Sequence, residues 1–89
     1  MERREWLKYK RKLLNKSIAD IAEIMGCTRQ TIINIESGRT KTEMTLRFYE
    51  RVIEEEAAKL NEKEAFKYKT FVEVMEMTSE LDRKEKMGA

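Results

Sequence analysis

The chain has 89 residues, of which 40% are charged and 40% hydrophobic, with no proline, no histidine, one cysteine and three glycines. Its length fits one small domain. The scarcity of proline and glycine predicts an all-helical fold, because strands joined by tight turns need more of both. Without histidine and with only Cys27, the sequence excludes a Cys/His zinc site, an internal disulfide and a histidine-based catalytic relay.

We therefore expect no enzyme, no catalytic residue, no cofactor and no metal. The consecutive acids at residues 54–56 are interpreted as solvated helix charge rather than a catalytic pair. No apolar run approaches the ~18–20 residues that span a bilayer, and the charged N-terminal stretch has no signal-peptide core. Together with the lone thiol, this predicts a cytoplasmic protein with no membrane partner.

The net charge of +2 is unevenly distributed along the chain. Residues 1–41 carry ten Lys/Arg and five Asp/Glu, a net charge of +5, whereas residues 42–89 carry nine and twelve, a net charge of −3. A basic first half favours an anionic partner, although such charges also occur on ordinary solvated helix faces.

Residues 2–14 predict a first helix from their apolar spacing. Ser17 then caps a second helix, with Asp20 returning a hydrogen bond to the cap in a capping box, and Gly26 ends it in a left-handed conformation. Thr28 caps a third helix that runs through Glu36.

Residues 42–60 predict a fourth helix, with Thr45 as its cap and a buried stripe of Leu46, Tyr49, Val52 and Ile53. Asn61 is a break, and residues 62–83 form a long fifth helix. We expect a domain at residues 1–60 and a C-terminal helix at residues 61–89, with a frayed tail from about residue 82.

The second and third helices have the spacing of a helix-turn-helix. Counting from Ile18, a small residue, Ala22, stands fifth, where the next helix crosses, and Gly26 stands ninth, in the turn. The remaining positions supply a small core that fixes the crossing angle: Ile21, Met25, Cys27, Ile32 and Ile35.

Residues 17–38 resemble the helix-turn-helix of phage repressors and Cro proteins, the XRE family, and the resemblance extends over about residues 7–53. It implies a lambda-repressor-like all-α bundle of four to five helices, here with an additional long C-terminal helix. Two positions depart from the family pattern. Ile18 stands where glutamine usually contacts DNA, and Lys16 stands where an apolar residue is common.

The family also implies an ion pair between the first helix and the end of the third, and Arg11 and Glu36 occupy those positions. Such a pair would tie the two helices together and direct Arg11 towards a phosphate.

The resemblance further implies that the third helix enters the major groove of double-stranded DNA. The base-reading residues would be Arg29, on guanine, and Gln30 and Asn34, each on adenine. Ile33 could meet thymine methyl groups or pack on the fourth helix, and we favour packing. The phosphate contacts would come from residues flanking this surface: Ser17, Thr28, Thr31, Arg39, Thr40 and Lys41.

The long C-terminal helix needs a partner for its apolar stripe, which favours homodimerisation over folding back. The predicted dimerisation residues are Tyr68, Phe71, Val72, Met75 and Leu81. The sequence thus predicts a dimeric, sequence-specific transcriptional repressor at a two-fold symmetric operator. The alternative is a protein-binding module, antitoxin-like or an adaptor, whose C-terminal helix engages a partner protein.

Overall fold

The computed structural model describes the backbone of residues 2–40 and 42–88, and the side chains of this part as far as Thr78. Five helices and no strand occur in this part of the chain. They are α1 (Arg3–Leu13), α2 (Ile18–Met25), α3 (Arg29–Glu36), α4 (Glu43–Ala58) and α5 (Glu62–Gly88). The all-α prediction is confirmed. Every helix in the described residues is too short or too polar to span a bilayer.

Hydrogen bonds between residues close in sequence define the starts of α2, α3 and α5, at the positions predicted from the sequence. The Ser17 hydroxyl accepts from the Asp20 amide at 3.0 Å, and the Asp20 carboxylate accepts from the Ser17 amide at 2.8 Å, which completes the capping box of α2. Thr28 caps α3 through the Thr31 amide. Asn61 caps α5 by accepting from the Glu64 amide at 2.9 Å.

The start of α4 was predicted wrongly. Thr42, not Thr45, is its N-cap residue, and Thr45 lies inside the first turn. The Thr42 side chain makes no capping hydrogen bond. Instead, Arg3 of α1 holds Glu43 in the first turn through two hydrogen bonds of 2.8 Å, which stabilises a helix that begins there.

The chain divides into two compact units, Met1–Lys59 and Leu60–Ala89. In the first unit, α1 to α4 surround one apolar core, in which Ile21, Ile32, Ile35 and Tyr49 are fully buried. Met25 and Cys27, which we expected in this core, are only half-buried. The rest of the core comprises Leu7, Leu14, Ala22, Val52 and Ile53.

The second unit consists mainly of α5, whose backbone continues to Gly88, past the expected end at residue 83. On the predicted stripe, Tyr68, Val72 and Met75 are half-buried and Phe71 is exposed. The side chain of Leu81 lies outside the described residues, and the fraying from about residue 82 stays a prediction. A second apolar row, which the sequence analysis missed, follows the opposite side of α5 and is exposed: Phe66, Val74 and Met77.

Candidate nucleic-acid interface

A sharp corner joins α2 to α3. Gly26 ends α2 at φ +71°, a left-handed conformation that costs a residue with a Cβ atom more than it costs glycine. The Cys27 amide then donates to the Ala22 carbonyl oxygen at 2.9 Å, and Thr28 opens α3. Ala22, the small residue expected where the next helix crosses, is buried. The corner therefore fixes the direction of α3 relative to α2.

The inner face of α3 is fixed in the core. Ile32 and Ile35 are fully buried, and Glu36 forms an ion pair with Arg11 of α1. Arg11 Nε donates to Glu36 Oε2 at 2.8 Å and Arg11 Nη2 donates to Glu36 Oε1 at 3.1 Å, a two-point contact between planar groups. The side chains are only 8% and 6% exposed. This buried pair ties α3 to α1.

Tyr49 of α4 completes the cluster by donating its hydroxyl proton to Glu36 Oε2. Burial and the hydrogen bond to Glu36 raise the pKa of Tyr49, so the phenol stays protonated and continues to donate. Burial lowers the pKa of Arg11, but the hydrogen bond and negative charge of Glu36 outweigh it, so the guanidinium stays charged. Three helices thus meet at the single carboxylate of Glu36. The predicted stripe of α4 includes Tyr49, but the apolar spacing that defines the stripe gives no sign of this polar role.

The expected contact of Arg11 with a phosphate stays a prediction, and the structure shows what its guanidinium binds within the protein. Its third guanidinium nitrogen, Nη1, donates to the backbone oxygen of Lys16 at 2.8 Å, while the other two nitrogens hold Glu36. Arg11 therefore fixes the end of α3 and the turn before α2 from inside the protein.

The outer face of α3 carries the side chains expected to read bases. Arg29 and Gln30 are exposed and Asn34 is half-buried. Gln30 Nε2 donates to Asn34 Oδ1 at 3.0 Å, one helical turn along. Ile33 lies beside them and leaves 41% of its surface exposed, so it is not enclosed by α4. One side of this short helix is thus core, and the other presents a guanidinium, two amides and one aliphatic group.

The expected phosphate-binding side chains lie at both ends of this face. The Thr28 and Thr31 hydroxyls share a hydrogen bond of 3.0 Å at the start of α3. After α3, the amides of Arg39 and Thr40 both donate to the Asn34 carbonyl oxygen, at 2.9 and 3.1 Å, which fixes the chain that carries them. Ser17 is exposed at the start of α2. Lys41 lies outside the described residues.

Arg4 of α1 also supports the end of α3. Its Nη1 atom donates to the Glu36 carbonyl oxygen at 3.4 Å. Its side chain lies against Gly38, at which an added Cβ atom would stand 2.9 Å from Arg4 Nε. Gly38 has φ +84°, a left-handed backbone conformation that favours glycine.

The interpretation of residues 54–56 as solvated charge is wrong for Glu56, whose side chain is 8% exposed. Lys59 Nζ donates to it at 2.7 Å, and Lys16 Nζ lies 3.5 Å from its other oxygen. The hydrogen bond from Lys59 and the charges of both lysines lower the pKa of Glu56 against the opposing effect of burial. Lys16, which departs from the family pattern, thus has a partner on α4.

Among the described side chains, no group of Cys, Asp and Glu residues is arranged to hold a metal ion. The polar groups at the surface of α3 are instead hydrogen-bond donors and acceptors of the kind that contact base edges and phosphates.

The comparisons with known proteins agree with this geometry. A family model described as helix-turn-helix matches residues 7–60, which include α2, the corner and α3. No curated protein and no solved structure gives a significant match to the chain. Proteins with this domain are DNA-binding regulators and are not normally enzymes. The chain belongs to the XRE-type helix-turn-helix family and is a DNA-binding regulator.

Proposed function

We propose that the protein is a dimeric transcriptional repressor that reads a two-fold symmetric operator with α3 in the major groove. The observation that carries the proposal is the division of α3 into two faces. Ile32, Ile35 and Glu36 fix the helix from inside, whereas Arg29 and Gln30 are exposed on the other side. A reading helix needs this combination, because an accurately positioned backbone lets side chains discriminate between bases.

Each side chain on the outer face has a base edge that suits it. The Arg29 guanidinium can donate to both O6 and N7 of guanine, and the amides of Gln30 and Asn34 suit adenine. The exposed side of Ile33 suits the methyl group of thymine, which makes this reading preferable to complete packing on α4.

Phosphate contacts would hold α3 in register on the duplex. The hydroxyls of Thr28 and Thr31 lie at the positive end of the helix dipole, where a phosphate is favoured. Ser17 would contact the backbone beside α2, and Arg39, Thr40 and Lys41 would contact it beyond α3. These contacts supply affinity that depends on salt but not on base sequence.

Dimerisation would occur through the stripe of α5. On that stripe Phe71 is 43% exposed, which leaves an aromatic ring available for contact with another chain. A second copy would cover it, with contacts from the predicted residues: Tyr68, Phe71, Val72, Met75 and Leu81. A dimer would place two copies of α3 one DNA turn apart, roughly 34 Å, and so read two half-sites.

Selection of bound sequences from a random double-stranded DNA library tests this function. We expect an inverted repeat whose half-site centres are about ten base pairs apart. The selected duplex should also bind two chains in sedimentation equilibrium. Recovery of no enriched sequence would contradict sequence-specific binding, and a single half-site bound by one chain would contradict the dimer. Repression itself is tested by a reporter gene placed behind the selected site.

The second row of α5 favours one other candidate function, a protein-binding module. Phe66, Val74 and Met77 are 74%, 51% and 63% exposed, and a two-helix pair formed through the opposite stripe leaves them uncovered. Co-purification of a stoichiometric protein whose binding is lost in Phe66→Ala, together with absence of DNA binding at low salt, would support this candidate over the repressor.

A further inference from the structure

The two amides on the outer face of α3 are bonded to each other. Gln30 Nε2 donates to Asn34 Oδ1 at 3.0 Å, and the residues are four positions apart, so their side chains are neighbours on the helix surface. Gln30 is exposed and Asn34 is half-buried. Any base that meets one of these amides therefore meets a side chain whose orientation depends on the other.

This bond determines which hydrogen-bonding groups remain for DNA. A side-chain amide has two N–H donors and one carbonyl oxygen acceptor. In Gln30 one Nε2 donor is used, and the second donor and the oxygen Oε1 remain, whereas in Asn34 the oxygen accepts this bond and both Nδ2 donors remain. The bonded pair consequently presents an acceptor from Gln30 and a donor from Asn34.

Adenine offers the complementary pattern in the major groove, with a donor at its N6 amino group and an acceptor at N7. We propose that Gln30 and Asn34 read one adenine together, with Gln30 Oε1 accepting from N6 and Asn34 Nδ2 donating to N7. This inference rests on the proposed function and replaces the expectation that each amide reads an adenine of its own.

The same arrangement discriminates against guanine. Guanine presents acceptors at both O6 and N7, so the free oxygen of Gln30 would face another acceptor. An acceptor that loses water without gaining a donor is costly, and specificity follows from that mismatch. The bond also restricts two flexible side chains before DNA arrives, which lowers the entropy lost on binding.

Single-atom changes in the DNA test the assignment. With the full chain and its selected operator, each adenine is replaced in turn by 7-deazaadenine, which lacks the N7 acceptor, and by purine, which lacks the N6 amino group. At one adenine, both analogues should weaken the parent roughly tenfold. At that same adenine, Asn34→Ala should lose its sensitivity to 7-deazaadenine, and Gln30→Ala its sensitivity to purine.

A double-mutant cycle provides a second readout. Because each amide orients the other, the Gln30→Ala/Asn34→Ala double variant should lose less affinity for the operator than the product of the two single losses. Arg29→Ala combined with Gln30→Ala is the matched control, and its losses should multiply. Thermal unfolding of every variant establishes that it is folded.

Two results would overturn the inference while leaving the proposed function intact. One is the finding of two adenines at which both analogues weaken binding, where Gln30→Ala removes the effect at one adenine only and Asn34→Ala removes it at the other only. The other is multiplicative losses in the Gln30/Asn34 cycle. If the parent enriches no DNA sequence, the proposed function fails first, and the inference fails with it.

Discussion

The inner face of α3 is bound into the core of the protein, whereas its outer face is exposed and available to a ligand. On the inner face, Ile35 is fully buried and Glu36 accepts from Arg11 and Tyr49, so each contact is part of the fold. On the outer face, Arg29 is exposed and the Gln30–Asn34 hydrogen bond involves only neighbours on the helix itself. An eight-residue helix is too short to be stable alone. The contacts of the inner face therefore stabilise the helix, and the outer face remains available for DNA recognition.

The largest effect should follow from breaking the inner face at Arg11. Arg11→Ala leaves Glu36 buried without its charged partner, and loss of one member of a buried pair costs about 3–5 kcal/mol of unfolding free energy. Chemical denaturation measures the change. Arg51→Ala is the matched control, because Arg51 pairs with Glu55 at the surface, where only a small change is expected. Equal losses in the two variants would contradict the central place of the Arg11–Glu36 pair.

A smaller loss of unfolding free energy should follow when Tyr49 is changed to phenylalanine. Tyr49→Phe keeps the ring and removes the hydroxyl that donates to Glu36, so a buried carboxylate oxygen loses a hydrogen bond at a cost of about 1–3 kcal/mol. Denaturant unfolding compares it with Tyr9→Phe, whose ring packs edge-on against Trp6 on α1. A Tyr49→Phe variant as stable as the parent would show that the hydroxyl contributes nothing to the cluster.

Arg39→Ala tests the outer surface without touching base recognition. Loss of one phosphate contact should weaken binding to all duplexes alike and reduce the slope of log K against log salt by about one unit. Fluorescence anisotropy at several salt concentrations measures the slope. Arg51→Ala is the control, because Arg51 pairs with Glu55 on the exposed side of α4 and should leave the slope unchanged. A change of sequence preference in Arg39→Ala would contradict its assignment to phosphate.

The smallest effect concerns acid stability. Lys59 lowers the pKa of Glu56 below its ordinary 4.5, chiefly through a hydrogen bond. The folded form therefore binds a proton less readily than the unfolded chain does. Stability from this group is present above the ordinary pKa, begins to fall below about pH 5, and is lost as the pH falls through the folded-state value.

Melting temperatures measured between pH 7 and pH 3 check this sign. Glu56→Gln should be less stable than the parent at pH 7, and the difference should shrink as the pH falls. The matched control is Glu54→Gln, because Glu54 is exposed on the same helix. A difference that stays constant with pH would exclude the ionised Glu56 as its source.

Short-range chemistry made much of the fold predictable from sequence. The caps at Ser17 and Thr28 depend on groups three residues away, and the turn at Gly26 depends on glycine itself, so local sequence contains the necessary information. The partnership of Arg11 with Glu36 is different, because 25 positions separate the two residues. Family resemblance suggested that pair, and residue chemistry alone could not.

The features that sequence reasoning missed depend on neighbours distant in the chain. Residues 54–56 are three identical glutamates, and only Glu56 is buried, because helical phase and Lys16 from another element select it. The start of α4 is stabilised by the hydrogen bonds that Arg3 donates to Glu43 rather than by a threonine cap. The second row of α5 was visible in principle from the helical spacing of Phe66, Val74 and Met77, which are eight and three residues apart.

The most direct test of the account compares operator and scrambled duplexes for one variant. Arg29, Gln30 and Asn34 are changed together to alanine, and anisotropy titrations at fixed salt measure affinity for both duplexes. The preference for operator, typically about 10³-fold or more in such proteins, should fall to about one, while scrambled-duplex affinity and melting temperature should stay close to the parent's. Full retention of the preference by this variant would contradict recognition through the outer face of α3.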